Sequence, residues 1–438
     1  ALAVLLDRAA GGPQLVIAPM SVGFNWLREA ERFAPTLRLH LHHGGERAEN
    51  LGHLRAGDLV VTTWDILARD AALLAPTWHT VVFDEAQAMK NADTLRARAA
   101  SQLKAEARIA LSGTPIENRL SELWSLLNVV VPGLLGSASA FRGRFAVPIE
   151  REGNQERRQA LAAMVRPFLL RRIKREVAKE LPDRSEVRVD VELGPEERRL
   201  YERVRSAAVA ALTTDQGPKE QLRFRVLTAL TRLRQIACAA ELADDSAPAG
   251  SAKLERLLEL MTELREQGRK VLVFSQFAEL LKRVAPRLDA AGFGYCHLDG
   301  GTPAKERRVL VDRFQAGETD VFLLSLKAGG IGLNLTAASE VILLDPWWNP
   351  AVEDQAADRA HRIGQTEAVT IYRLVTRQTV EEAILAMHET KRDLAGAILS
   401  GTGDSGALSI DELLALLAGG AATPTPPAAA PAKKTKKP

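Results

Sequence analysis

Two series of short apolar runs constrain this 438-residue chain more than any other feature. QLVIAP (14–19), DLVVTTW (58–64), TVVFDEA (80–86) and ARIALSGTP (107–115) alternate with helical patterns in the first series. KVLVFSQ (270–276), GYCHLDG (294–300), DVFLLSL (320–326), EVILLDP (340–346) and VTIYRLV (369–375) do so in the second. Continuous apolar runs that end in small or polar residues suit strands of a parallel sheet covered on both faces. Alternation with helices is the α/β signature. Leu254, Leu257, Leu258, Met261 and Leu264 form an amphipathic helix that opens the second series.

The stretch between the two series has another character. From about 119 to 250 Arg and Glu are dense and strand signals are few. LLRRIKREVAKELP has mixed charges and then a stopping proline, while EERRLYERVRSAAVAALTT and FRVLTALTRLRQIACAAEL read as helices, most of the arginines on solvated faces. ADDSAPAGS (243–251) reads as a boundary. After 401 the composition turns to Gly, Ala, Pro and Lys, which predicts disorder, with a short helix at IDELLALLA. The expected division is therefore a first α/β unit at 1–135, a helical insertion and linker at 136–250, a second unit at 251–400, and a disordered tail at 401–438.

Composition excludes several classes. Cys238 and Cys296 are too few for a disulfide framework or a Cys-based zinc site, and a reducing compartment fits best. No run approaches the roughly 20 apolar residues of a membrane span. Net charge is +3, and the four tail lysines exceed that, so bulk charge gives no argument for nucleic acid. A basic groove would have to come from local clustering. The first residue is Ala, ALAVLLDRAA lacks the pattern of a signal peptide, and Leu2, Leu5 and Leu6 fall on one helical face. The chain reads as beginning inside a helix, as a fragment does.

Asp84 and Glu85 leave the run TVVF at the end of a strand. Ligands of α/β folds bind there. One carboxylate in such a place can hold Mg²⁺ and its neighbour can activate water. The same pair reads equally as an N-cap and a favourable first-turn acid. Ser112 and Thr114, on the turn of LSGTPIEN, offer hydroxyls that can bond back to those acids. Alone, this is an ordinary turn. DQAADRAHRIGQ (354–365) is expected to place Gln355, Arg359 and Arg362 on one helix, the arginines three apart on a common face. Two arginines aimed into a cleft can neutralise a transferring phosphoryl group. A surface helix with ordinary charges is the alternative. His361 reads as a structural hydrogen-bonding residue.

Taken in order, LVIAPMS, VTTWD, DEAQ with MKN, LSGTPIEN, PFLLRRIKREVAKELP, VFSQF, LDGGTP, SLKAGGIGLNLT, DPWWNP and RAHRIGQ resemble the motor of the Swi/Snf-type ATPases of the second helicase superfamily. The resemblance covers roughly residues 2 to 395. It implies two RecA-like lobes with ATP and Mg²⁺ bound between them, and translocation along double-stranded DNA. Family motors usually remodel protein–DNA contacts, so a DNA-bound protein complex such as polymerase or repair machinery is the implied partner.

Carried over motif by motif, Asp84 matches the Mg²⁺ acid, Glu85 the water-activating base, and Gln87 the last position of the box. Arg359 and Arg362 match arginine fingers, and Gln355 a polar contact of the same motif. Gly330 and Gly332 match a loop at the nucleotide cleft and the DNA, where glycine lets backbone approach phosphate. Pro19, Met20, Ser21, Thr62, Thr63, Ser275, Gln276, Lys327, Asn334 and Thr336 match elements that track DNA, mostly through phosphates. Trp347 and Trp348 match a tryptophan pair of the family, and read equally as packing residues.

One element of the pattern is missing. The phosphate-gripping G-x-x-x-x-G-K-[ST] loop does not occur in this sequence. In the family it lies just upstream of a helix like ALAVLLDRAA, so the first lobe is expected to be incomplete, lacking also a strand inside its sheet. Weak or absent ATP hydrolysis by the chain as it stands follows, with an unstable first lobe. Three functions remain open: a double-stranded DNA translocase, a strand-separating helicase, and a binding module without catalysis. The Ala- and Arg-rich composition points to a high-GC bacterium, and hence to a cytoplasmic, nucleoid-associated protein.

Overall fold

The computed structural model describes residues 1–44, 51–113, 119–170, 172, 174, 178, 180–213, 218–244, 247, 250–326, 333–388, 414 and 417. Its strands are β1 (Gln14–Ala18), β2 (Arg38–Leu41), β3 (Asp58–Thr63), β4 (Thr77–Phe83), β5 (Lys104–Ala110), β6 (Arg184–Val191), β7 (Val271–Ser275), β8 (Tyr295–Leu298), β9 (Val321–Ser325), β10 (Glu340–Leu343) and β11 (Val369–Thr376). They form two sheets, ordered β2-β3-β1-β4-β5 and β6-β11-β10-β7-β9-β8. Every strand pair is parallel. These are the two lobes, and the nine apolar runs supply nine of the eleven strands.

Burial on both faces explains the unbroken apolar runs. Leu15 and Ile17 of β1 face one core with Trp64, Trp78 and Phe83. Val16 and Ala18 face the other with Trp26, Ala30 and Leu5. In the second lobe Val271 and Val273 of β7 point into one core, Leu272 and Phe274 into the other. A strand with period-two geometry must be apolar at every position when helices cover both sides.

Among the described residues the strands of lobe one form a contiguous ladder: β4 pairs directly with β1 and β5. The ladder ends at β5, whose residues are partly exposed where those of β1 and β3 are buried. Two expectations need correction. First, the segment read as a helical insertion and linker contains β6, paired with β11 from Arg184↔Val369 to Val191↔Thr376. Val191 of β6 is buried and Val189 half-buried, but Val187 is 40% exposed among Glu186, Arg188 and Asp190, so charge masked the strand. Second, Leu2 and Leu5 of the helix Leu2–Asp7 pack on the lobe-one core, but Leu6 is 39% exposed. Leu414 and Leu417, within the expected short helix IDELLALLA, pack on an apolar cluster; the rest of 401–438 lies outside the described residues.

We label five helices: α1 (Met20–Phe33), α2 (Pro195–Thr213), α3 (Lys219–Cys238), α4 (Ala252–Glu266) and α5 (Pro350–Ala357). The central block divides between the lobes. Residues 120–165 build their own cluster around Phe141, Phe145 and Leu161. α2 and α3 pack together and against Val380, Ile384 and Met387 of lobe two. Lys253 at the start of α4 is fully buried and bonds the Glu381 carboxylate at 2.6 Å. No helix among the described residues is long and apolar enough to cross a membrane. Residues 171, 173, 175–177 and 179 of LLRRIKREVAKELP lie outside the described residues.

Candidate active site in the cleft between the lobes

β4 delivers Asp84 and Glu85 to the carboxyl edge of the first sheet. The turn is stitched to both neighbours: Asp84 N donates to Ile17 O at 2.8 Å, and Ala86 N to Leu111 O at 2.9 Å. Glu85 has φ +48° and ψ +53°, the left-handed region. A residue with a Cβ is held there at a cost of about 1 kcal/mol or more, which marks an imposed conformation.

Asp84 is held by two tryptophans that the sequence reading did not single out. Trp26 Nε1 of α1 donates to Asp84 Oδ2 at 2.8 Å. Trp64 Nε1 donates to the Asp84 carbonyl at 2.9 Å, with its ring stacked on Phe83. Glu85 N donates to Asp84 Oδ1 at 2.9 Å. Trp26→Phe keeps the ring and deletes the indole donor. It should lower unfolding free energy by about 1–2 kcal/mol, the low range for a bond to a charged group. A urea titration that shows no shift would remove Trp26 from this role.

Glu85 is the hub of a hydrogen-bond chain. Gln87 Nε2 donates to Glu85 Oε2 at 2.6 Å. Ser112 Oγ donates to Gln87 Oε1 at 3.0 Å, so the Ser112 turn does reach the acids, through Gln87. From the other lobe, Gln355 Nε2 of α5 donates to Glu85 Oε1 at 3.1 Å and to Oε2 at 3.3 Å.

Arg359 and Arg362 are not on the helix. α5 is started by Asn349, which caps Ala351 N at 3.1 Å with Pro350 following, and it ends at Ala357. The arginines lie on the turns beyond. Gln365, also missed in the sequence, clamps these turns: its Nε2 donates to the carbonyls of Thr336, Ala338 and Ala360, and its Oε1 accepts from Thr366 N and Glu367 N. A bare spacing of three does not distinguish helix from a tight double turn. Gly364, at φ +102°, permits the turn.

The two lobes meet at a cavity of about 500 Å³, whose lining includes Trp26, Asp84, Glu85, Leu111, Arg359 and Arg362. Arg359 is 6% exposed. Burial pulls its guanidinium below the usual range, Glu85 opposes that, and Arg362 adds to it. Carboxylates on one wall and guanidiniums on the other suit a metal-bound polyphosphate. Mg²⁺ ordinarily takes one or two carboxylates with substrate oxygens and water, a demand that the Asp84 carboxylate suits.

Pro19, Met20, Thr62, Thr63, Ser275 and Gln276 lie at the carboxyl ends of β1, β3 and β7, and several of the hydroxyls bond within the fold. Pro19 and Met20 open α1 directly after β1; the side chain of Ser21 lies outside the described residues. Thr62 is fully buried and donates to His42 O at 3.0 Å. Thr63 is 8% exposed and caps the helix Trp64–Leu67. Ser275 is fully buried and donates to Asp345 Oδ1 at 2.5 Å. These three side chains are buried and hydrogen-bonded within the fold. Gln276 is half-buried, Thr336 half-buried and Asn334 exposed. Thr114, Lys327, Gly330 and Gly332 lie outside the described residues.

Trp347 and Trp348 are packing residues. Both surround Arg234 of α3, whose guanidinium lies 5.4 and 5.3 Å from their ring centroids and 5.5 Å from that of Phe277. Arg234 is 1% exposed and donates to Pro346 O at 2.6 Å. His361 is structural as read: its Nε2 donates to Pro182 O at 2.8 Å.

The family described as SNF2-related domain matches residues 3–242, and the helicase conserved C-terminal domain matches 252–364. YwqA of Bacillus subtilis, which carries the name of an ATP-dependent helicase/translocase, is 42% identical over 92% of this chain and 45% of its own. The human SWI/SNF-related matrix-associated actin-dependent regulator of chromatin subfamily A member 1 is 35% identical over 89% of this chain and 39% of its own. The chain thus spans under half the length of either relative. A solved Sulfolobus solfataricus SWI2/SNF2 ATPase core in complex with dsDNA is 32% identical, covering 93% of this chain and 89% of that one, with a TM-score of 0.42. With both halves of the motor matched in order, the chain belongs to the SNF2 family of helicase-like ATPases.

Proposed function

We propose that the protein is an ATP-dependent double-stranded DNA translocase, whose hydrolysis at the interlobe cleft drives remodelling of protein–DNA complexes. The observation that carries this is the bond from Gln355 to Glu85 across the cleft, beside Arg359 and Arg362. A base in one lobe that bonds the arginine-bearing element of the other makes chemistry and lobe position one variable.

Bound ATP with Mg²⁺ would supply the phosphoryl group and part of its charge neutralisation. Asp84, oriented by Trp26, is the acid placed to hold the metal. Glu85 is placed to orient water and take its proton, with Gln87 and Gln355 fixing its oxygens. Arg359 and Arg362 face the negative charge that builds as the phosphoryl group moves. Opening of the cleft parts Gln355 from Glu85, so the base loses an orienting bond whenever the lobes separate.

A binding module without catalysis is the second reading. Steady-state ATPase assays separate the two. They are run on this chain and on the protein expressed from its full reading frame, with no nucleic acid, duplex DNA, single-stranded DNA or RNA. Stimulation of the full protein by duplex DNA of about tenfold or more is the expected result. Stimulation by single strands alone would favour the strand-separating helicase, and no turnover at all the binding module.

A further inference from the structure

We propose that Lys174 and Arg184 are positioning residues that clasp the turn carrying Arg359 and Arg362 and hold both arginines at the cleft. The inference rests on the reading of those arginines given above.

Arg184 is the first residue of β6, which is laddered to β11 along its whole length. Its guanidinium therefore starts from a fixed sheet edge. It meets Asp354 at 2.8 Å and Asp358 at 3.5 Å. Asp354 immediately precedes Gln355, and Asp358 immediately precedes Arg359. Burial opposes the charge of Arg184, but Asp354, Glu186 and Asp358 outweigh it and hold the guanidinium above its usual range. Lys174 Nζ meets Asp358 Oδ2 at 2.8 Å and donates to the carbonyl of His361, the residue before Arg362, at 3.1 Å. His361 in turn donates to Pro182 O at 2.8 Å.

α5 stops at Ala357, and beyond it the backbone is held by short turn bonds, among them Arg362 N to Ala360 O at 3.1 Å. Arg359 and Arg362 also repel each other. Gln365 fixes the far end of the turn. Lys174 and Arg184 fix the near end at Asp358 and His361, each the residue before an arginine.

Ion pairs that are partly exposed each contribute little to stability. Losing Arg184–Asp354, Arg184–Asp358 and Lys174–Asp358 with a backbone bond should thus leave the fold intact while loosening one turn. The test is Lys174→Gln/Arg184→Gln, with Arg184→Lys as the conservative variant. Hydrogen exchange on the 438-residue chain without nucleotide should speed up by about tenfold at amides 359–365 and stay unchanged in both sheets. In the full-length protein, kcat should fall about 30-fold with KM for ATP within about twofold, and Arg184→Lys should recover most of the loss.

Unchanged exchange and kcat, alongside crippled Arg359→Lys and Arg362→Lys variants, would overturn the clasp alone. Exchange raised throughout the chain with a lower unfolding midpoint would show a general structural role and overturn it too. Parental kcat in both arginine variants, or no turnover in the parent, would overturn the reading of the arginines and the clasp with it.

Discussion

Lys253→Met is expected to lower the unfolding free energy of the second lobe by about 3–5 kcal/mol. Lys253 and Glu381 are both fully buried, with Nζ 2.6 Å from either carboxylate oxygen and 3.0 Å from Leu344 O. Removing the ammonium leaves the carboxylate desolvated without its counter-charge, the costly half of a buried pair. Lys253→Met/Glu381→Leu should recover much of the loss, because replacing both partners by apolar groups is often near neutral. Recovery would be incomplete, since Glu381 Oε2 also accepts from Thr376 N at 2.8 Å. That orphaned donor costs about 1–3 kcal/mol. Denaturant titrations of the two variants decide the matter. A double variant no more stable than the single one would show that charge burial is not the cause.

The pair also sets a pH window. Burial works against the Lys253 ammonium, but Glu381 and its other neighbours raise its pKa above the ordinary 10.5. A raised folded value means that the stabilisation is complete below about 10.5 and disappears only as pH climbs through the higher folded value. Stability at neutral pH should therefore be insensitive to the titration of Lys253.

Glu85→Gln should reduce kcat by about 10²–10⁴-fold, the usual contribution of a general base. The fold should survive, because an amide at 85 can still accept from Gln87 and Gln355. Arg362→Gln should cost about 10³-fold or more in kcat if the residue acts as an arginine finger. Arg362 is exposed, so its loss should leave the unfolding midpoint in place, whereas loss of the buried Arg359 should lower both. Turnover by Glu85→Gln within about tenfold of the parent would remove Glu85 from the base role. KM for ATP separates the roles further: loss of an interaction made in the transition state lowers kcat and kcat/KM together.

Much of the site was legible because it is written in short range. A buried parallel strand must be apolar throughout, so TVVF announced β4, and the acids after it had to emerge at the carboxyl edge. The same logic located β1, β3, β5 and β7 to β11. β6 escaped because its outward residues are charged and its inward valines few, so charge density hid a period of two. The turns after Ala357 escaped because spacing alone does not separate a helix from successive tight turns. Trp26 and Gln365 gave no local signal, since each matters through a group distant in sequence: Asp84 and the Thr336, Ala338 and Ala360 carbonyls.

By itself the sequence determined nine of the eleven strands, the acids at the end of one of them, and which family pattern they follow. These properties depend on periodicity within ten residues or so. Tertiary structure alone decided that Gln355 meets Glu85 across 270 residues of chain, and that Lys253 and Arg234 are buried rather than solvated. The physical reason is that neither a cross-cleft hydrogen bond nor a buried charge is stable on its own. Each exists only where the fold brings a partner, and that partner is set by how two separate sheets pack.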